Sequence, residues 1–163
     1  MTTITESIPS IPSSNFCEQS LKSLINPGEA LKPNQIIMYE PRNTLYEILG
    51  VCKARFDDEW KEGYLYRSIN TQAFYWREFA DFGKFICISD DSIKNNYPIT
   101  YYSVWAESER KEYCGLGQGK AKIDGDWQEY QFYKDKEHDA YYARPLVESP
   151  SLRALYAGLS RSE

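Results

Sequence analysis

The sequence holds a single histidine, His138, and none of its four cysteines, at positions 17, 52, 87 and 114, stands in a Cys-x-x-Cys pair. One imidazole in the charged run Lys134-Asp135-Lys136-Glu137-His138-Asp139 cannot supply a metal with several convergent ligands. Nor does its surrounding sequence read as a strained nucleophile turn of the kind a histidine-dependent triad requires. No long apolar run exists, so no membrane-spanning helix is expected. The opening MTTITESIPSIPSS has neither the basic nor the apolar region of a signal peptide. Positive charge is scarce: 19 Lys and Arg face 24 Asp and Glu, a net charge of −5. Non-specific nucleic-acid binding draws on a field of Lys and Arg that displaces counterions, so this balance argues against it. Unpaired cysteines fit a reducing compartment, and a cytoplasmic protein without metal or cofactor is expected.

Aromatic residues are abundant, at 15% of the chain with fourteen Tyr. Such rings suit half-buried β structure, where one end packs and the hydroxyl reaches water. From Gln35 onward apolar residues recur with period two. They predict strands over 35–39, 44–54, 62–68, 73–79 and 84–88, then 100–106, 112–122, 128–134 and 140–144, with turn residues such as Asp57-Asp58 and Asp124-Gly125 between them. Residues 1–30 read as an extended arm and a short helix. Asn15 would cap that helix, Phe16, Leu21, Leu24 and Ile25 would share a face, and Pro27-Gly28 would end it. Residues 90–98 read as a linker. Leu152, Leu155, Tyr156 and Leu159 at helical spacing after Pro150 predict a short C-terminal packing helix.

The chain also matches itself. With Tyr46 set against Tyr113, segment 46–79 lies over 113–146 without a gap, and twelve of 34 positions are identical. They include Leu49/Leu116, Gly50/Gly117, Trp60/Trp127, Tyr66/Tyr133, Tyr75/Tyr142 and Arg77/Arg144. Each copy reads as a long strand bent at its glycine, an acidic turn and two further strands. Three strands leave open edges, so the strand at 35–39 is expected to complete the first copy and 100–106 the second.

The first copy offers Tyr46-Glu47-Ile48-Leu49-Gly50-Val51-Cys52, Leu65-Tyr66-Arg67 and Tyr75-Trp76-Arg77-Glu78-Phe79. The second offers Phe132-Tyr133-Lys134 and Tyr142-Ala143-Arg144-Pro145-Leu146. These segments resemble a small bacterial domain family of unknown function with an SH3-like β-barrel. The resemblance implies a mostly β protein of two tandem small SH3-like barrels packed together, over 31–89 and 99–163. It implies no activity, since small barrels host many.

Candidate chemistry is thin. The acidic residues Asp57, Asp58, Glu59, Glu62, Asp124, Asp126 and Glu129 could hold Mg²⁺ or act as an acid/base pair, but solvated turns and cross-strand pairs with Lys53 and Lys120 explain them more simply. Gly115-Leu116-Gly117-Gln118-Gly119-Lys120 lacks the Ser or Thr and the following helix of a phosphate-binding loop. Arg77 and Arg144 stand out, because a guanidinium offers a rigid fork for carboxylate or phosphate and stacks on rings. They either lock their own copies through residues such as Glu62 and Glu129, or line a groove with Trp60, Trp76, Trp105, Trp127, Tyr75 and Tyr142. The groove reading makes this a non-enzymatic binding protein for a protein partner or a small anionic or aromatic ligand, held between the copies. A small inhibitor or nucleotide-sequestering protein of phage type and a self-assembling structural protein remain alternatives. A carboxylate-based metal-dependent hydrolase stands last.

Overall fold

Side chains that alternate between apolar and polar with period two can bury one face of an extended chain, and here they build strands almost throughout. The computed structural model describes residues 21–146, apart from Pro27, Asp91, Lys94, Asn96, Ser108 and Asp139, together with the backbone of 152–154. The strands are β1 (Leu21–Leu24), β2 (Ile36–Tyr39), β3 (Thr44–Phe56), β4 (Glu59–Ser68), β5 (Phe74–Glu78) and β6 (Phe85–Ser89). After them come β7 (Tyr102–Ala106), β8 (Lys111–Ile123), β9 (Asp126–Asp135), β10 (Tyr141–Pro145) and β11 (Leu152–Ala154). A turn of 3-10 helix, Glu40–Arg42, joins β2 to β3.

The pairings of the first half recur at the equivalent positions of the second. Ile37 lies opposite Tyr46 as Val104 lies opposite Tyr113. Phe85 lies opposite Tyr39 as Leu152 lies opposite Ala106. Two-residue turns with both central residues at positive φ, Asp57-Asp58 and Asp124-Gly125, close the long hairpins. This turn geometry matches the twist of the strands it joins.

The halves do not close separately. β5 pairs in parallel with β8, and β10 pairs in parallel with β3, again in equivalent registers: Tyr75 lies opposite Lys120 as Tyr142 lies opposite Lys53. With the antiparallel pairs β3–β4, β4–β5, β8–β9 and β9–β10, six strands close into one ring. In place of two barrels side by side, each half supplies three strands to a shared barrel. The reason is edge satisfaction: a three-stranded unit exposes two edges, and its sibling offers two complementary ones.

Bulges at Ile48–Gly50 and Gly115–Gly117 decide what faces inward. One extra residue inverts the face taken by every later side chain. Tyr46 and Ile48 therefore pack outside the barrel, while Leu49, Cys52 and Ala54 pack inside. Gly50 and Gly117 sit at φ +155° and +139°, a backbone conformation that side chains disfavour. The interior is completed by Leu65, Trp76, Leu116, Ala121, Ile123, Tyr130, Phe132 and Ala143.

Both expected helices are corrected where the chain is described. Leu21–Leu24 is a strand on the edge of β6, with Leu24 exposed, and Leu152–Ala154 is a strand on the edge of β7. Asn15, Phe16 and residues 155–160 lie outside the described residues. A few leucines at spacings of three and four fit either period in so short a segment, and pairing with an open sheet edge prevails.

Asp135 ties down the β9–β10 turn. It accepts from Lys111 Nζ at 2.8 Å and from the Glu137 backbone N–H at 2.8 Å. Those two donors hold its carboxyl well below the usual carboxylate range. A carboxylate shifted downward by folding stabilises while it is ionised. Its contribution is whole above about pH 4, the ordinary aspartate value, and is lost as pH falls below it. Asp135→Asn is therefore expected to lower the urea midpoint at pH 7 and to lower it by less near about pH 2, the gap narrowing as pH falls. An equal gap at both pH values would sink this account.

Candidate functional site

Alternation along β5 and β10 sends Tyr75 and Arg77, and likewise Tyr142 and Arg144, to the outside of the barrel. Trp76 points the opposite way and is fully buried in the interior, so it leaves the candidate groove. Its indole N–H donates to the Cys52 carbonyl at 2.9 Å. Trp105, on β7, is half-buried and donates to Glu107 at 2.9 Å, and it lies outside the cleft described below.

The other six residues assemble into two clusters rather than one groove, each made by both halves. In the first, Tyr66 and Tyr75 stack at 5.7 Å and the Arg77 guanidinium lies 5.0 Å from the ring of Trp127, which also meets Tyr75 edge-on at 5.7 Å. In the second, Tyr133 and Tyr142 stack at 5.6 Å, Arg144 lies 5.1 Å from Trp60, and Trp60 meets Tyr142 at 5.7 Å. Each tryptophan starts the long hairpin's return strand in one half and covers the arginine of the other. The parallel seams bring them there.

Each arginine donates from Nε to a tyrosine hydroxyl of its own half: Arg77 to Tyr66 at 2.8 Å and Arg144 to Tyr133 at 3.0 Å. Burial pushes both hydroxyls well above the usual tyrosine range, and the adjacent guanidinium pulls each back in part. Both tyrosines are therefore held as neutral hydroxyls. The expected arginine partners Glu62 and Glu129 are not the ones used. They sit opposite Lys53 and Lys120 across the long hairpins. Arg77 Nη1 instead binds Asp81 at 3.1 Å, and Arg144 Nη2 binds Glu109 at 3.1 Å.

The two clusters differ at one turn. Asn43 and Arg110 occupy equivalent left-handed positions, at φ 52° and 53°, and each donates its N–H to the carbonyl three residues back at 3.3 Å. The residue before them is Arg42 in the first half and Glu109 in the second. Glu109 turns into its cluster, where Oε1 accepts from the Tyr113 hydroxyl and Oε2 from Arg144 Nη2. Arg42 stacks 4.4 Å from the Tyr39 ring, and the neighbouring Tyr46 hydroxyl raises its pKa. Among the described residues nothing takes the hydrogen bonds of Arg77 Nη2.

A cleft of about 470 Å³ results at the first cluster. Among the described residues, four cations, Arg42, Arg77, Lys120 and Lys122, line it against the carboxylate of Glu129, with rings of Tyr46, Tyr75 and Trp127 as walls, while Asp81 beside it lies 3.9 Å from Lys122. Gly119 forms part of its floor, in a strand and not in a phosphate loop. A Cβ there would lie 2.3 Å from the Phe74 carbonyl, so the glycine serves the close seam between β5 and β8.

Sequence reasoning missed Arg42, Tyr46, Tyr66, Lys120, Lys122 and Glu109 as parts of these clusters. The same offset between copies, carried upstream of Tyr46, would have aligned Arg42 with Glu109 and shown the reversal of charge. Among the described residues no group of three or more His, Cys, Asp or Glu could hold a metal ion, and no helix is long and apolar enough to cross a membrane. No family model matches the chain, and neither a curated protein nor a solved structure matches it.

Proposed function

We propose that this is a binding protein rather than an enzyme, and that the cleft beside Trp127 takes an anionic group of a small molecule or a protein partner. One observation carries the reading: among the described residues four cationic side chains line a ring-walled cleft against the Glu129 carboxylate, with Asp81 beside it paired to Arg77 and Lys122, on a chain of net charge −5. Like charges held together in a folded protein repel, and a bound anion would offset that cost. The volume falls in the range of small-ligand sites, about 300–1,000 Å³. Guanidinium and indole side by side also suit a planar anion, which can be stacked and paired at once.

The likeness to the small SH3-like family falls on β3, β4 and β5 and on β9 and β10, five of the six strands of the shared barrel. We read the chain as a tandem duplication of one such unit, in which one copy binds and its sibling completes the scaffold. Cys52, Cys87 and Cys114 are free thiols, which suits a reducing, cytoplasmic setting.

The test is native mass spectrometry on protein taken gently from its own cells, alongside a Lys120→Glu/Lys122→Glu variant. The expected result is a dissociable anionic adduct, or a partner at fixed stoichiometry, on the native chain and its loss from the variant. A bare chain, or an adduct retained by the variant, would overturn the proposal and move weight to an assembly role.

A further inference from the structure

We infer that the anionic group taken by the first-half cleft is a carboxylate, bound as the second half binds its own Glu109. The inference rests on the reading of the cleft as an anion site and specifies its ligand chemistry. The second cluster works as a filled copy of the first. Its Tyr133, Tyr142, Arg144, Tyr113 and Trp60 match Tyr66, Tyr75, Arg77, Tyr46 and Trp127 ring for ring, with stacking distances of 5.6 and 5.7 Å. In the filled copy one planar carboxylate spans two donors, the Tyr113 hydroxyl and Arg144 Nη2. The equivalent pair in the first half is the Tyr46 hydroxyl and Arg77 Nη2, and both residues line the cleft.

Asp81 does not already fill this role. It binds Nη1 of Arg77, the terminal nitrogen that Glu109 leaves alone on Arg144. The second terminal nitrogen is therefore the one presented to an incoming group. At the turn position from which Glu109 reaches inward, the first half carries Arg42, which brings no carboxylate to the site and adds a further cationic donor to the cleft that Lys120 also lines. Charge-assisted bonds from a fixed fork favour a two-oxygen planar acceptor. Phosphate could engage the same cations, but its O–P–O edge is wider than a carboxylate's, and its two further oxygens have no counterpart in the way Glu109 is held.

The experiment reads the indole N–H signals of Trp127 and Trp60 separately by NMR, while three probes are added to the full chain. They are a capped glutamate (acetyl-Glu-amide), benzoate and inorganic phosphate. Trp127 is expected to shift with both carboxylates, at affinities about tenfold or more above that for phosphate. Trp60 should stay still. Whichever carboxylate binds tighter names its source, a protein side chain or a small aromatic acid, and either supports the inference. R42E should place an internal carboxylate in the cleft and weaken capped-glutamate binding about tenfold or more. E109R should empty the second cluster, so that Trp60 now responds and two equivalents bind. If E109R loses its spectral dispersion, E109A removes the occupying side chain outright and must give the same Trp60 response. Phosphate binding as tight as the carboxylates would overturn the carboxylate assignment and leave the anion site standing. No response of Trp127 to any probe would remove both. Unaltered binding in R42E, or a silent Trp60 in the folded position-109 variants, would overturn the equivalence of the two clusters.

Discussion

Trp76→Ala is expected to cost about 3–5 kcal/mol of folding stability, the range for truncating a large ring in a packed core. The side chain is fully buried and reaches across the barrel to bond the Cys52 carbonyl at 2.9 Å. Truncation would leave both a void and a buried acceptor without its donor. The local sequence shows how the barrel makes room for it. Position 63, on the neighbouring strand, is glycine, and a Cβ there would lie 2.0 Å from the Arg77 carbonyl and 2.8 Å from the indole. In the second half the sizes are exchanged: Tyr130 replaces the glycine and Ala143 replaces the tryptophan. One bulky ring and one small residue thus enter from each half, reversed in order, and interior volume is shared. Urea denaturation at pH 7 would measure the loss. A change below about 1 kcal/mol would mean that the barrel collapses onto the void, contrary to the tightly shared interior described here.

A second large effect is expected at Glu47 and Arg67. These residues face each other across β3 and β4, both buried, with Arg67 Nη2 bound to Glu47 Oε1 at 3.1 Å. The buried Nε of Arg67 has no partner among the described residues. Removing either partner strands a charge away from water, so Glu47→Leu alone or Arg67→Met alone should cost about 3–5 kcal/mol. Replacing both should cost far less and can be neutral, because the desolvation of the pair disappears with it. The second half carries Cys114 and Lys134 at these positions, with the lysine 5.4 Å from the Tyr101 ring, so the hairpin itself does not require a carboxylate there. A double-mutant cycle in denaturant gives the coupling directly. Single and double losses that simply add would show that the pair is not coupled and that the costs come from packing alone.

How much of this was legible depends on the range of the interaction. Strands β2 to β10 follow from period-two patterning to within a few residues at each end, because alternation is a local property of neighbouring side chains. The bend glycines were also legible. Gly50 and Gly117 stand inside strong strand patterns, and a glycine there marks a bulge. Two elements were misread for a local reason too: Leu21, Leu24 and Ile25, and the leucines after Pro150, are compatible with a helix until a sheet edge is known to lie beside them. Trp76 was misplaced although its alternation with Tyr75 and Arg77 was visible, since composition drew all the rings of that segment onto one face.

The candidate site was legible in content and not in arrangement. Arg77, Arg144, Trp60, Trp127, Tyr75 and Tyr142 are all repeat positions, and all meet in the clusters. That Trp127 covers Arg77, and Trp60 covers Arg144, follows from the parallel seams β5–β8 and β10–β3. Partner choice between distant strands is settled by whole-sheet closure, which no window of sequence contains.

By itself, the amino-acid sequence determined the strand content, the constant offset between the two copies and the residue types of both clusters, because each is carried by neighbouring residues or by direct identity between two segments. Only the tertiary structure decided that the halves close one barrel, that Trp76 turns inward, and that Glu109 fills one cluster while Arg42 leaves the other cationic. Those outcomes depend on which edges meet, on a bulge that inverts a face, and on the direction in which a turn aims its side chain.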